Sequence, residues 1–404
     1  MIKREKYLKK IRPFYEQDLI KVITGIRRCG KSVILNQIMD ELKENGIDEK
    51  QIIYINFEFA DYMEITKANL FNEYVEKKIV NSKKYYLFFD EIQNVDGWEK
   101  VVNSFKAKYN DKVSIFITGS NSDLLSGELA THIAGRYVSF KIYPFTFDEV
   151  CELKGILDKN KYELENEFND FIIWGGMPQR FMMNDTQQVR TYLSDIYNSI
   201  VMKDIIDRFK IKDLDLFNKI LTYIVTTPAQ TFSADNLSNY LLNDNIEVSK
   251  ITIYNYLEYM CRALLINKCE RYDIRGKRIL NGKYKYYLTD LGLGQVVNNE
   301  RKKQMGAYLE NIVYNELISR GYDVKVGTFE NGEVDFIATR FEEKVYFQVT
   351  YHLYDEIIDR EFGIFNNISD NYPKYVISTD TFDFSQNGII HKNIIDWLLN
   401  KQDK

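Results

Sequence analysis

Five short apolar runs, LIKVIT, QIIYINF, YYLFFDE, VSIFITGS and YVSFKIYPF, recur between residue 19 and about residue 145, with helix-period stretches between them. Strands that alternate with helices predict a parallel sheet covered on both faces. From Pro144 the pattern turns helical (FTFDEVCELKGIL, ENEFNDFIIW), broken by the GGMP turn at Gly175 to Pro178. Long amphipathic helices follow from Val189 to about Thr226. Next come SADNLSNYLL and SKITIYNYLEYMCRALL, then two β-like runs, LINKCERYDI and KYKYYLTD, joined by a basic turn. Helices followed by a β-hairpin predict a winged helix-turn-helix. After the polar run VNNERKKQ, a last α/β segment begins at Met305. The expected divisions are an α/β core (1–145), a helical lid with linker helices (146–210), a winged helix (211–295) and a small α/β domain (305–404).

Composition narrows this picture only modestly. At 404 residues and 47.9 kDa, two to three domains are expected. A net charge of −5 rules out a global positive field, so any nucleic-acid contact must be local. The start, MIKREKYLKKIRPFYEQ, has no apolar centre and does not read as a signal peptide. No uncharged apolar run approaches the roughly 18 residues of a membrane span. Cys29, Cys151, Cys261 and Cys269 lack C-x-x-C spacing, which argues against zinc and against a disulfide framework. A cytoplasmic chain is expected.

The first run delivers GIRRCGKS, which fits G-x-x-x-x-G-K-[ST]. In such a loop, phosphates rest on backbone N–H groups at the start of the following helix, here SVILNQIMDELKENG. Gly25, Ile26, Arg27, Arg28, Cys29, Gly30, Lys31, Ser32 and Val33 are the candidate nucleotide-binding residues. Lys31 is expected to reach the β/γ-phosphates, and Ser32 to place its hydroxyl on Mg²⁺.

YYLFFDEIQNV then ends an apolar strand in Asp90-Glu91, the Walker B arrangement. Asp90 is the candidate metal residue, through its water shell, and Glu91 the candidate that polarises the attacking water. A third strand ends in Thr118-Gly119-Ser120-Asn121, where Asn121 could sense the γ-phosphate. Arg136 opens the next strand and could stabilise transition-state charge, in cis or across a subunit boundary. A surface salt bridge is the competing reading for Arg136.

GIRRCGKS, FFDEIQNV, TGSNSDLLSGELATHIAGRY, the YPFTFDE run and GGMPQR together resemble an AAA+-type family of bacterial and archaeal ATPases. The resemblance implies a P-loop NTPase sheet, ATP or ADP with Mg²⁺ as cofactors, ATP hydrolysis and a homo-oligomer. Gly176-Met177-Pro178 also resembles the G-x-P turn of signal-transducing P-loop ATPases, which implies that Pro178 touches the nucleotide.

Between Lys268 and Lys285 stand Lys268, Arg271, Arg275, Lys277, Arg278, Lys283 and Lys285, against Glu270 and Asp273. With Tyr272, Tyr284 and Tyr286 interleaved, the segment suits a wing on a DNA backbone. Ser249, Lys250, Thr252 and Asn255 are the corresponding candidates on a recognition helix. The last hundred residues resemble a PD-(D/E)XK nuclease fold, with Glu310, Asp335 and Gln348 at the acidic positions. Thr350 stands at the lysine position, so an inactive domain is expected. Lys325 and Lys374 are the candidates for a displaced lysine. Residues 301–404 carry 12 basic and 17 acidic side chains, which would repel DNA. Three readings remain: an ATP-driven machine on DNA, a slow ADP/ATP signalling switch, and a protein-interaction scaffold.

Overall fold

Parallel strands β1 (Ile20–Thr24), β2 (Ile52–Asn56), β3 (Tyr85–Asp90), β4 (Val113–Gly119) and β5 (Tyr137–Lys141) form one sheet, in the order β2-β3-β4-β1-β5. The computed structural model describes residues 2–120, 135–297, 304–330 and 332–400. Every residue of β1, β3 and β4 is buried, as continuous apolar strands between two helical layers require. The edge strands β2 and β5 are only partly covered. On one face Phe71 of α3 (Ala68–Glu76) packs edge-on against Phe89 at 4.8 Å and Phe105 of α4 (Trp98–Tyr109) at 6.0 Å. Alternation sends Phe88 to the other face, where it stacks on Phe116 at 4.6 Å. Helix α1 (Glu5–Ile11) packs on α2 (Lys31–Glu44), which follows the glycine loop.

Two compact units divide the chain. One comprises Met1–Tyr143 and Arg262–Leu264, the other Pro144–Cys261 and Leu265–Lys404. The second opens with the helix Phe147–Lys154, started by a reciprocal capping box between Thr146 and Glu149. The helices Lys161–Trp174 and Thr186–Ser199 follow, the latter continuing as a π-helical stretch, Ile200–Asp207. Leu214–Thr226, Ala234–Asn243 and Lys250–Arg262 precede a β-hairpin.

One eight-stranded sheet runs through both segments that the sequence reading treats as a winged helix and a separate end domain. Its hairpin strands β7 (Ile266–Asp273) and β8 (Arg278–Leu288) are antiparallel, and β6 (Thr231–Phe232) pairs with β8. β7 also pairs in parallel with β9 (Asp323–Phe329), Glu270 opposite Lys325 through Asp273 opposite Thr328. That pairing satisfies backbone groups that a free wing edge would leave exposed. β10 (Gly332–Arg340), β11 (Glu343–Val349), β12 (Lys374–Ser378) and β13 (Ile390–Asn393) complete the sheet. The β9–β10 ladder shifts register between Val334 and Ile337, beside Asp335.

Candidate functional site

Strand β1 runs into Gly25, where a Cβ would lie 2.4 Å from the Ile142 carbonyl oxygen, so only glycine fits. Arg28 (φ 66°) and Gly30 (φ 106°) are left-handed, which curls the loop back onto the start of α2. Gly30 is the N-cap of α2 and no side chain caps the helix. The first-turn N–H groups of Lys31, Ser32 and Val33 are therefore those of an anion-binding helix end. Ile26 and Cys29 are buried, Arg28 is exposed, and Arg27 pairs with Glu58 at 3.3 Å. Burial pushes the Cys29 thiol up, away from reactivity.

The Lys31 ammonium is buried, 3.2 Å from Glu91 Oε1 and 3.2 Å from the Gly25 carbonyl oxygen. Burial is the strongest influence and would lower its pKa, but Glu91 foremost, with Cys29 and Asp90, together outweigh it and the net shift is upward. Glu91 shows the converse: burial raises its carboxyl, Lys31 draws it down, and it ends below the usual range. Its backbone is left-handed (φ 53°), a strained setting for a glutamate at a strand end. Gln93 Nε2 donates to its other oxygen at 2.6 Å.

Asp90 has no exposed surface, and both oxygens accept hydrogen bonds. Thr118 Oγ1 donates to Oδ1, while Tyr54 (3.0 Å) and Asn56 (3.1 Å) donate to Oδ2. The Thr118 hydroxyl also accepts from the Glu91 N–H at 3.0 Å. Because β4 lies between β1 and β3, its last residues stand between the glycine loop and the Asp90-Glu91 end. Open α/β sheets bind ligands at such carboxyl ends. Tyr54 and Asn56 went unrecognised in the sequence, since nothing local distinguishes them from other β2 residues. Arg4 is a further omission: its buried side chain donates to the Cys29 carbonyl at 3.1 Å.

Asn121 lies outside the described residues. Arg136 is exposed, and its carbonyl accepts from the Ile20 N–H at 2.9 Å, at the opposite end of β1 from the loop. Pro178 opens a 3-10 helix, Pro178–Met182, in the second unit. The GGMP glycines have a local explanation. A Cβ on Gly176 would lie 2.0 Å from the Phe145 carbonyl oxygen, and the Gly176 N–H donates to buried Asp290 at 2.7 Å.

Several of the cations on the β7–β8 hairpin are already engaged. Arg271 pairs with Glu333 at 3.2 Å, Arg275 with Glu330 at 3.4 Å, and Arg278 lies 3.8 Å from Asp273. The Lys268 ammonium sits over the Tyr284 ring at 3.7 Å. Lys277 and Lys283 are exposed. On the preceding helix, Ser249 accepts from the Thr252 N–H at 3.1 Å as a cap and Lys250 pairs with Asp235 at 2.5 Å, while Asn255 is exposed.

Lys285 is buried at the centre of a carboxylate cluster, not laid out for a ligand. Its ammonium lies 2.9 Å from Glu310, 3.0 Å from Glu333 and 3.8 Å from Asp335. Tyr287 donates to Glu310 at 2.6 Å. Gln348 bridges the Asp335 N–H (3.1 Å) and Glu361 (2.7 Å). Burial first, and Glu310 second, push the Asp335 carboxyl well up. The lysine candidates Lys325 and Lys374 are held elsewhere, by Asp323 and by the Asp370 carbonyl, and Lys344 pairs with Asp370. Lys285 is thus the lysine that joins Asp335, although two helices and a strand separate them in the chain. Among the described residues no cluster of His, Cys, Asp or Glu is arranged to hold a metal, and no helix is long and apolar enough to cross a membrane.

Residues 17–151 match the family model of an AAA domain, and residues 165–304 that of a domain of unknown function. An "Uncharacterized protein" of Haemophilus influenzae is 37% identical over 401 residues, spanning 99% of both chains. A second "Uncharacterized protein", from Methanocaldococcus jannaschii, is 34% identical over 353 residues, 85% of this chain and 77% of that one. The Aeropyrum pernix ORC2 protein, solved in complexes with ADPNP and ADP, aligns at 11% identity over 74% of this chain and 92% of that one, with a TM-score of 0.39. At 37% identity across 99% of both chains and 34% across 85% of this one, the chain belongs to the same family as these Haemophilus influenzae and Methanocaldococcus jannaschii proteins, and its own residues 17–151 match an AAA domain.

Proposed function

We propose that the protein is a Mg²⁺-dependent ATPase whose nucleotide state acts on the second unit. The observation that carries this reading is the buried Lys31–Glu91 pair beside the uncapped start of α2. The residues present fit Mg-ATP: N–H donors and an ammonium for the phosphates, the Ser32 hydroxyl and the Asp90 carboxylate for the ion. When bound, Mg²⁺ would neutralise charge on the β- and γ-phosphates. Thr118, Tyr54 and Asn56, which donate to its two oxygens, hold the Asp90 carboxylate in place. When phosphate oxygens take Lys31, Glu91 is released to accept a proton from the attacking water. The test is binding of a fluorescent ATP analogue and phosphate release, with and without Mg²⁺, in wild type and Lys31→Ala. A wild-type protein that neither binds nor hydrolyses ATP overturns the reading.

Arg136 is assigned a role in trans. In parallel register Ile20 pairs with Tyr137 and Thr24 with Lys141, so Arg136 and the glycine loop lie at opposite ends of β1. At about 3.3 Å per residue that separation is about 15 Å, too far for the same chain's γ-phosphate. A neighbouring copy could receive it, which makes a homo-oligomer part of this reading. For DNA, the exposed tip residues Arg275, Lys277, Arg278 and Lys283 are the candidate contacts. Arg271 and Lys285 are withdrawn from that set by their carboxylate partners.

A further inference from the structure

Arg4 stands outside every motif, 25 residues from the loop it touches. Its side chain is 2% exposed. One nitrogen, Nη1, donates to the carbonyl oxygens of both Cys29 (3.1 Å) and Tyr143 (3.0 Å). The guanidinium lies 4.5 Å over the Tyr7 ring, and the Tyr7 hydroxyl accepts from the Tyr143 N–H at 3.2 Å. The neighbouring backbone is tied to α2: Gln37 accepts from the Arg4 N–H at 3.1 Å and donates to the Ile2 carbonyl at 2.7 Å. A Cβ on Gly30 would come within 3.5 Å of the same Nη1. The N-terminal segment is therefore built against the back of the glycine loop.

The consequence follows from peptide geometry. A trans peptide points its C=O and its N–H in opposite directions, and the chain has no cis bond among the described residues. Holding the Cys29 carbonyl on Arg4 turns the N–H of Gly30, in the same peptide unit, away from Arg4 and toward the mouth of the loop. Without Arg4 that carbonyl has no fixed direction, and Gly30, with its glycine freedom, can flip the peptide. A flipped peptide would present an oxygen to the phosphates in place of a donor.

We propose that Arg4 is a positioning residue that fixes the Cys29–Gly30 peptide in its phosphate-accepting orientation. The inference rests on the reading of this loop as a nucleotide site, and the experiment separates the two. The measurements are affinity for a fluorescent ADP analogue, kcat and KM for ATP, and the Gly30 amide resonance in ¹⁵N-glycine-labelled protein. Arg4→Ala weakens ADP and raises KM by about tenfold to a hundredfold, the worth of hydrogen bonds to a charged donor, with a much smaller change in kcat. Free guanidinium, below denaturing concentration, restores binding in Arg4→Ala. Arg4→Lys, which keeps the charge, retains an intermediate affinity and covers the case in which the alanine variant fails to fold. In either variant the Gly30 resonance moves, and in Arg4→Ala guanidinium returns it. If wild type binds no nucleotide while the Gly30 resonance still follows Arg4, the functional reading fails and the positioning role stands. If folded Arg4→Ala or Arg4→Lys binds ADP as wild type does and the resonance stays put, the positioning role is overturned. Weak binding that neither guanidinium nor the lysine improves also overturns it, since it marks a general loss of packing.

Discussion

The Lys31 ammonium and the Glu91 carboxylate face each other at 3.2 Å, with side chains only 4% and 10% exposed. A carboxylate held this way competes with phosphate for the Lys31 cation. On the proposed reading, ATP binding would exchange one anion for another at Lys31, and the exchange would free Glu91.

Glu91→Gln removes the competing charge, so ATP and ADP should bind at least as tightly as in wild type. Turnover should fall by about 100-fold or more, the usual worth of a general base. Lys31→Ala should lose nucleotide binding altogether. Phosphate release and fluorescent-nucleotide titration read both effects, and wild-type turnover in Glu91→Gln would remove Glu91 from the proposed chemistry.

Arg136 should complement across copies. Arg136→Ala and Lys31→Ala should each be inactive alone, and mixing them should restore part of the activity. Some mixed interfaces then pair an intact loop with an intact arginine. Failure of rescue, or a monomer by light scattering at saturating ATP, would remove the trans role.

Duplex DNA, where it binds, should be held at the hairpin tip. Reversing Lys277, Arg278 and Lys283 to Glu should weaken binding for every sequence and flatten its salt dependence, with a slope loss of about 0.9 per phosphate contact removed. Neutralising Arg271 should do far less to the slope, because Glu333 already takes that charge. Equal slopes for wild type and the tip variant would exclude the tip as a phosphate contact.

How much of this was legible in the sequence depended on distance along the chain. The glycine loop and Asp90-Glu91 each declare themselves within a dozen residues, because strand, turn chemistry and following helix are contiguous. Arg4 could not be found that way. Its partners, Cys29 and Tyr143, lie 25 and 139 residues away and are met through backbone carbonyls, which carry no sequence signature. Lys285 illustrates a second limit. In the run Lys283-Tyr284-Lys285-Tyr286, alternation puts Lys285 and Lys283 on one face, yet only Lys285 is buried. What covers it is the end segment, packed there because β9 pairs with β7, and that non-local pairing could not be read from the hairpin itself.

Lys21, inside β1, yields a test in pH. It has no exposed surface, and donates to Ser114 at 2.7 Å and to the Gln17 carbonyl at 3.0 Å. Burial first, and the charge of Lys84 second, push it down to about 7. The unfolded value is about 10.4. Between these two pH values the unfolded chain holds more protons, so this group's contribution to stability rises with pH; below about pH 7 its penalty is complete. Lys21→Met should be more stable than wild type by about 1 to 4 kcal/mol near neutral pH. That advantage should shrink toward pH 10. Chemical denaturation of both proteins across the range reads the difference, and a constant gap would show that Lys21 is charged throughout.

The Lys285 cluster should hold the second unit together and should not cut DNA. One ammonium serves Glu310, Glu333 and Asp335, drawn from a helix and from β10, while Lys285 itself comes from β8. Burial works against its charge, but the three carboxylates, Glu310 foremost, outweigh burial and keep it protonated. Lys285→Met leaves Glu310 and Asp335 without their cation, while Glu333 keeps Arg271, and a broken buried pair costs about 3 to 5 kcal/mol. Adding Glu310→Gln should recover part of that loss, because one stranded charge is gone; a double variant no more stable than Lys285→Met would show that the pair is not coupled. The same ammonium occupies the carboxylates that a divalent ion would need, and Thr350 adds no second cation. Incubation of wild type with Mg²⁺ or Mn²⁺ and linear, circular, branched or single-stranded DNA should therefore leave every substrate intact. Metal-dependent cleavage that Asp335→Ala abolishes would mean that Lys285 yields its place to the ion, and the cluster would have to be read as a working nuclease centre.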